Sequence, residues 1–248
     1  DRCEDPDAHA LVLRNSHKPH IVSSAGANAV WNEMDVRQAN LEDGRKLGGT
    51  HFAIIDADEI LTHNRLPLVR EEFACLDYGN TLEVPMIAVW NDLQHHRVDD
   101  PTWSNAWLTL GFKDAPYLSW KPAADGYHHH NRPPHGHTDR VKLGRHQFGG
   151  VFHLQWANQR RLLAKHVLYR MVDHLRWPGR RTPKRLNEIY GEALTRPQNM
   201  TLIPPDWWGG HLKDSICLDG VPWQEDEIRR LLSVHGRDKF EGLDLLGF

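Results

Sequence analysis

A short apolar run that leads directly into acidic residues constrains the fold of this chain more than any other feature. Residues 52–55 read Phe-Ala-Ile-Ile, and Asp56, Asp58 and Glu59 follow them. An apolar run without polar alternation predicts a strand that is buried on both faces of a parallel sheet. Because ligands in open α/β sheets bind beyond the carboxyl ends of the strands, we expect Asp56 and Asp58 at that rim. Carboxylate oxygens suit Mg²⁺ or Mn²⁺, so the pattern predicts a metal site that would hold a diphosphate.

The composition is that of an ordinary globular protein. The chain has 248 residues, of which 25% are charged and 40% hydrophobic, so it is long enough for one large α/β domain or two small ones. No stretch approaches the roughly 18 apolar residues of a membrane span. The three cysteines are widely spaced and form no CxxC pair, which argues against a disulfide framework or a cysteine zinc site. We therefore expect a protein of a reducing compartment, the cytoplasm.

Periodicity and turn residues predict alternating helices and strands. The expected helices cover residues 31–47, 66–76, 158–177 and 225–235, and the expected strands cover residues 10–13, 21–23, 52–55, 82–90 and 149–154. Asn28 is the expected N-cap of the first helix, and Gly48-Gly49 is its expected end. Pro85 lacks an N–H and therefore marks the strand over 82–90 as an edge or bulged strand. This order of elements indicates an α/β fold.

Positive charge is concentrated in one block, although the net charge of the whole chain is only −3. Residues 157–185 hold nine Lys or Arg and a single Asp. A block of this kind serves phosphates, a nucleic acid or a membrane surface, or it is the solvated face of a helix.

An ordered set of residues resembles the family 2 type of GT-A glycosyltransferases. In that family a helix that carries Arg and Asn precedes a strand ending in a D-x-D motif, and here Arg37 and Asn40 precede Asp56-Ala57-Asp58. A histidine after the acceptor region, followed by a basic helix, is also typical of the family. Here His153 precedes the basic helix expected over 158–177.

The resemblance implies a Rossmann-like GT-A fold with a central, mostly parallel sheet flanked by helices. It covers residues 1–176, which would form a GT-A-like domain, and residues 177–248 would be a helical and loop extension packed on it. The opening Asp1-Arg2-Cys3-Glu4-Asp5 resembles the acidic turn after the family's second strand, with Cys3 and Asp7 where Ser and Thr are usual. On this alignment the first strand of the nucleotide pocket precedes residue 1, so the domain would be N-terminally incomplete.

The resemblance also implies an activity, the metal-dependent transfer of a hexose from a nucleotide sugar, for which we expect a UDP-sugar. The acceptor would be a glycan, a lipid or a protein. Asp58 would bind Mn²⁺ or Mg²⁺ directly, Asp56 would contact the metal, a metal-bound water or the ribose, and His153 would be a third contact to the metal or diphosphate. The residues expected to bind the donor are Arg37, Asn40, Asp56 and Arg160, with Arg161 and Lys165 near the diphosphate.

Each of these residues also has a purely structural interpretation. The two aspartates would cap the turn that follows them, and His153 would pack at a strand end. Arg37 would form an ion pair with Glu33, one helical turn earlier. Arg160 would be part of a solvated helix face.

An inverting transferase needs a carboxylate base that takes the proton of the acceptor hydroxyl. Asp92, which follows the strand over 82–90, is the first candidate for this role. The other candidates are Asp99, Asp100, Asp125 and Asp139. Any of them is otherwise an ordinary loop residue, and a retaining enzyme would not need such a base.

Two further features of the sequence bear on function: a His-rich segment and a set of tryptophans. Five histidines fall within residues 127–137, together with prolines and a glycine. We interpret this segment as a mobile loop on the acceptor side; a zinc site is the alternative, although no HExxH motif or Cys partner is present. The tryptophans near the expected acceptor region would stack on sugar rings or pack in the core; they are Trp90, Trp103, Trp107 and Trp120.

Two other functions compete with transfer. A metal-dependent hydrolase would use Asp56, Asp58 and the His-rich segment, but the sequence offers no convincing second pair of ligands. A non-catalytic module would bind carbohydrate or nucleic acid through the basic block of residues 157–185. The sequence carries no zinc-finger, helix-turn-helix or Gly-aromatic RNA-binding signature, so we expect no nucleic-acid partner. A lipid-linked acceptor would bring the Trp-rich loops to a membrane.

Overall fold

The computed structural model describes residues 33–99, 102–120, 132–209, 213 and 216–248. The strands expected over 10–13 and 21–23, the acidic turn at residues 1–5 and the cap Asn28 lie outside these residues. The chain divides into two compact units. The first comprises the described residues within Asp1–Ile54, Val69–Glu83 and Thr109–Leu143, and the second comprises those within Ile55–Leu68, Val84–Leu108 and Gly144–Phe248.

The described residues form a mixed α/β structure, which confirms the predicted class. The helices are α1 (Glu33–Lys46), α2 (Leu66–Ala74), α3 (Gln159–Arg176), α4 (Pro183–Glu192), α5 (Pro205–Trp208) and α6 (Trp223–His235). The strands are β1 (His51–Ala53), β2 (Glu59–Leu61), β3 (Thr81–Ala88), β4 (His95–Arg97), β5 (Trp107–Lys113), β6 (Arg140–Lys142), β7 (Val151–His153) and β8 (Met200–Leu202). Short 3₁₀ turns cover His63–Arg65, His146–Phe148, Leu154–Trp156 and Arg237–Phe240.

In the first unit, β1 pairs with β5 in antiparallel register, with Phe52 opposite Phe112. The prediction of a strand buried on both faces of a parallel sheet is therefore wrong. One face of β1 is covered, because the Phe52 ring stacks on Phe112 at 5.5 Å between ring centroids, whereas Ala53 is exposed. Ile55, which the sequence assigned to the same strand, follows β1 and is 50% exposed. One covered and one open face are typical of antiparallel pairing.

Helix α1 ends where the sequence predicts. Gly48 has a φ of +79°, a left-handed conformation that glycine adopts without strain. The N–H groups of Gly48 and Gly49 donate to the carbonyls of Arg45 and Gly44, which satisfies carbonyls that the last helical turn leaves open. The glycine pair therefore turns the chain directly into β1.

Strand β3 is buried at all eight positions, so the prediction that Pro85 marks an edge or a bulge is wrong. Residues 81–83 run parallel to β6, and residues 86–88 run parallel to β7. Pro85 lies between these two paired stretches, where β3 changes its neighbour. A missing N–H costs no ladder hydrogen bond at such a position, so a proline is tolerated inside the sheet.

In the second unit, β7 has β3 on one side and β2 on the other. The β2–β7 pairing is antiparallel and sets Glu59 opposite His153. The β4–β8 pair forms a separate two-stranded sheet. The antiparallel β2–β7 pairing therefore sets the end of β7 beside the start of β2.

The predicted basic helix is confirmed as α3. It begins after the N-cap Asn158, whose Oδ1 accepts a hydrogen bond from the Arg161 N–H at 2.7 Å. Val167 and Met171, which lie one turn apart on this helix, are fully buried. They pack in a cluster with residues of α4 and α6, including Leu186 and Ile228. No helix in the described part of the chain is both long and apolar enough to cross a lipid bilayer.

Candidate functional site

The acidic stretch after β1 forms a closed turn that leads into β2. The Glu59 N–H donates to the Asp56 carbonyl at 3.0 Å, and the Glu59 carboxylate accepts from the Asp56 N–H at 3.0 Å. Glu59 is 6% exposed, so its carboxylate is committed to holding this turn. The side chain of Asp56 is exposed, and that of Asp58 is partly exposed.

Two cationic or potentially cationic side chains converge on Asp58 in the second unit. The Asp58 Oδ2 atom lies 3.5 Å from Nε2 of His153 and 3.6 Å from Nζ of Lys165. The antiparallel β2–β7 pairing is responsible for the first contact, and it continues in a hydrogen bond from the Leu154 N–H to the Asp58 carbonyl at 2.8 Å. Helix α3 supplies Lys165. We call these three residues the Asp58 cluster.

Lys165 and His153 are both fixed by neighbours that follow β7. Lys165 donates from Nζ to Oε1 of Gln155 at 2.7 Å, and its ammonium lies over the Tyr169 ring at 5.8 Å from the centroid. The His153 ring meets the fully buried Trp156 edge-on, with 5.0 Å between centroids. Trp156 is itself anchored by a 2.9 Å hydrogen bond from its indole N–H to the Ala193 carbonyl. These contacts therefore hold the side chains of Lys165 and His153 in place beside Asp58.

The Asp58 carboxylate is held in its ionised form. Burial alone raises its pKa, but the hydrogen bond and charge of His153, together with the charge of Lys165, act in the opposite direction. Their combined effect is larger, so the pKa of Asp58 lies well below its usual range. An ionised carboxylate beside an imidazole is a donor set that suits a divalent cation once the imidazole is neutral, since the protonated ring has no lone pair to offer.

The distance between the two donor atoms is compatible with one metal ion. Adjacent ligands that each lie about 2.1 Å from a cation are separated by roughly 3 to 3.5 Å. The Asp58 Oδ2 and His153 Nε2 atoms are 3.5 Å apart. Across the residues that the structure describes, no group of three or more His, Cys, Asp or Glu side chains is close enough to hold a metal ion. The cluster thus offers two donors, and the other positions around a cation would belong to substrate oxygens and water.

The other predicted donor-binding residues belong to the first unit or have other partners. Arg37 and Asn40 are on α1 in the first unit, where Asn40 is exposed and Nε of Arg37 donates to Glu33 at 2.8 Å. Arg160, on α3, forms a forked ion pair with Glu225 of α6. Among the basic residues expected near the diphosphate, Lys165 is the one that reaches Asp58.

Asp92, the first candidate for the catalytic base, is built into a tight turn. Its Oδ1 accepts from the N–H groups of Gln94 at 2.6 Å and His95 at 2.8 Å, and its Oδ2 lies 2.8 Å from Nδ1 of His95. Burial raises the pKa of Asp92, but these hydrogen bonds lower it by more. The turn follows Asn91, which has a φ of +64°.

The remaining candidates for the catalytic base belong to different units or lie outside the described residues. Asp99 accepts a hydrogen bond from the Gln198 N–H, and Asp139 is exposed in the first unit. Asp100, Asp125 and the histidines at 128–130 lie outside the described residues. His137 belongs to the same His-rich segment, residues 127–137, and its Nδ1 donates to the Pro134 carbonyl at 2.9 Å.

The tryptophans serve mainly as core residues. Trp90 and Trp120 are 4% and 5% exposed, and Trp103 packs on the buried Trp156. Trp107 is partly buried and meets His146 edge-on.

Sequence reasoning did not identify Glu59, Gln155 and Trp156 as the supports of the Asp58 cluster. Each of them lies within three residues of Asp58 or His153 in the sequence, and this proximity is the signal that could have identified them.

Comparison with known proteins gives no match: no family model, no curated protein and no solved structure is significantly similar to this chain.

Proposed function

We propose that this protein is a metal-dependent glycosyltransferase that transfers a hexose from a nucleotide sugar to an acceptor hydroxyl. The observation that carries the proposal is the contact of Asp58 with both His153 and Lys165. The sequence resemblance implies that an acidic motif, a histidine and a basic helix meet at the donor diphosphate. The members of the Asp58 cluster come from these three separate parts of the chain.

The chemistry of the cluster suits the departure of a nucleoside diphosphate. Breaking the bond between sugar and diphosphate leaves negative charge on the phosphate oxygens, and a cation held there lowers the barrier. Asp58 and His153 would hold Mn²⁺ or Mg²⁺, which supplies this charge stabilisation when bound. Lys165 would then pair with a diphosphate oxygen in place of Asp58, because its ammonium is a compact point charge with three hydrogen-bond donors.

The proposal extends to the fold and to the substrates. Among the described strands, the β3–β6 and β3–β7 pairings are parallel and the β1–β5, β2–β7 and β4–β8 pairings are antiparallel, so the mostly parallel sheet of a GT-A fold remains part of the proposal. We propose a UDP-sugar as donor, and a glycan, lipid or protein as acceptor. Asp56 would contact the ribose or a metal-bound water, since it lies in the same turn as Asp58.

Calorimetric titration with UDP-hexoses and GDP-hexoses, with and without Mn²⁺, tests the proposal. We expect binding that requires Mn²⁺ and that weakens at least tenfold in Asp58→Asn and His153→Ala. Lys165→Met should weaken donor binding but leave its dependence on Mn²⁺ intact, because Lys165 is assigned to the diphosphate and not to the metal. The matched control is Asp219→Asn, which removes an exposed carboxylate outside the cluster.

Two results would contradict the proposal. The first is that no nucleotide sugar binds in the presence of Mn²⁺. The second is that Asp58→Asn binds the donor as tightly as the parent protein. Release of free hexose from the donor, at a rate unaffected by any acceptor in a panel of sugars, lipids and peptides, would favour a metal-dependent hydrolase at the same cluster.

A further inference from the structure

The two-stranded β4–β8 sheet of the second unit has an open edge, which is formed by β8. Among the described strands, β8 pairs with β4 alone, whereas β4 is also bridged to Val89 on its other side. All three residues of β8 are exposed, and none of them belongs to the Asp58 cluster. A strand with one free side presents backbone groups that can pair with another chain.

The backbone groups that point to this edge belong to Met200 and Leu202. On the side of β4, the Asn199 carbonyl accepts from the Val98 N–H at 3.2 Å, and the Ile203 N–H donates at 2.7 Å to the carbonyl of the residue before β4. Backbone groups of successive residues in an antiparallel strand point to alternate sides. Those of Met200 and Leu202 therefore point away from β4, and each residue offers one donor and one acceptor.

The side chains along this edge carry no charge. Residues 197–204 read Pro-Gln-Asn-Met-Thr-Leu-Ile-Pro, and Met200 and Leu202 are 44% and 64% exposed. Free edges of natural sheets are commonly protected by a lysine, by an inward-pointing charge or by a proline within the strand, and residues 198–203 have none of these. Such an edge favours a partner strand that is also uncharged and apolar, because a charged partner would lose hydration without gaining an opposite charge.

A second copy of this chain supplies such a strand in a self-complementary register. Two antiparallel β8 strands related by a twofold axis at Thr201 set Met200 of one copy opposite Leu202 of the other. In this register each pair exchanges both of its outward backbone hydrogen bonds, and the two apolar side chains of each pair meet on one face of the sheet. Because both copies use the same edge, the pairing closes at a dimer.

We propose that β8 is a homodimerisation edge, at which two copies of this chain pair antiparallel through Met200 and Leu202. Strands of three residues form a small contact compared with the roughly 1,200 Å² or more that stable interfaces bury. The dimer therefore dissociates reversibly on dilution. The inference goes beyond the proposed transferase activity and does not depend on it.

Sedimentation velocity over a series of micromolar protein concentrations tests the pairing. We expect the parent protein to pass from monomer to dimer as its concentration rises. Met200→Glu and Leu202→Lys should each weaken dimerisation at least tenfold, because each sets a charge opposite an apolar side chain. The double variant Met200→Glu/Leu202→Lys should regain the dimer, since a carboxylate of one copy then faces an ammonium of the other. High salt should weaken the dimer of this double variant but not that of the parent.

Further variants separate the edge from the fold, which circular dichroism verifies for each of them. Leu202→Pro removes an N–H that points away from β4, so it should abolish the dimer and keep the fold. Val234→Lys is the matched control, at an apolar position on α6 that is 61% exposed, and it should dimerise like the parent, as should Asp58→Asn. Three results would each overturn the proposal: a parent protein that stays monomeric at every concentration, unchanged dimerisation of Leu202→Lys, or a double variant as weak as the single variants.

Discussion

At the residue scale, the state of Asp58 decides what the Asp58 cluster can do. Burial disfavours its charge, and His153 and Lys165 more than compensate for that cost. The Asp58 carboxylate therefore stays ionised in the folded protein. This balance has a consequence for stability that does not depend on any substrate.

The first prediction concerns the stability of Asp58→Asn in acid. Because the pKa of Asp58 is lower in the folded protein than the value of about 4 in an unfolded chain, ionised Asp58 stabilises the fold above about pH 4. That contribution is lost as the pH falls toward the folded-state pKa. The Asp58 side chain is 36% exposed, so solvent screening limits the effect to about 1 kcal/mol. Urea unfolding in EDTA should show the parent protein more stable than Asp58→Asn at pH 5, with a smaller difference at pH 3. A difference that grows toward pH 3 would contradict this account.

The second prediction separates the structural role of Asp92 in its turn from a catalytic role of the same side chain. The backbone N–H groups of Gln94 and His95 both donate to its Oδ1, and an asparagine keeps an oxygen acceptor for such a turn. Asp92→Ala should lower the free energy of unfolding by about 1 kcal/mol, whereas Asp92→Asn should lower it less. If Asp92 is also the catalytic base, Asp92→Asn should lose hexose transfer while it keeps donor binding and loses less stability than Asp92→Ala. Urea unfolding and donor titration of the two variants make the comparison.

At the element scale, the backbone of β3 lies so close to Gly150, the residue before β7, that no side chain fits between them. A Cβ atom on Gly150 would lie 2.0 Å from the Pro85 carbonyl oxygen, and backbone cannot move aside as a flexible side chain would. Gly150→Ala should therefore separate β7 from β3 and lower the free energy of unfolding by about 3 kcal/mol. The matched control is Gly220→Ala, because a Cβ there meets nothing within 4 Å. Equal stability of the two variants, measured by urea unfolding, would show that the strands do not approach this closely.

Elements with local signals were predictable from the sequence, and those defined by distant partners were not. The end of α1 at Gly48-Gly49 and the start of α3 at Asn158 depend on residues adjacent in the chain, and the structure has both. The direction of β1 depends on β5, which lies far along the chain. The burial of Pro85 depends on where β6 and β7 replace each other beside β3. An apolar run or a proline indicates only a local conformational preference. It does not indicate which distant strand will pair with that segment.

The same distinction applies to the candidate site at the scale of the whole molecule. The residues of the Asp58 cluster were singled out by their order along the chain, but their distances follow from the β2–β7 pairing and from the position of α3. Arg160, two turns before the middle of that helix, has a buried carboxylate partner in Glu225. No pattern in the basic block distinguishes Arg160 from Lys165. The packing of α3 with α6 places Arg160 in an ion pair with Glu225 and leaves Lys165 to contact Asp58.

The last prediction uses the stability of the whole protein to report on the cluster. A ligand that binds only the folded state stabilises it by about 2.7 kcal/mol when its concentration is 100 times its Kd. UDP-hexose with Mn²⁺ should therefore raise the unfolding midpoint of the parent protein, and EDTA should reverse the increase. In hydrogen exchange, the added protection should centre on residues 58–61 and 151–165, which carry Asp58, His153 and Lys165. Asp58→Asn should lose both effects, and Asp219→Asn should keep them. An equal increase with Mn²⁺ alone in the parent and in Asp58→Asn, or protection confined to the first unit, would place the metal away from the Asp58 cluster.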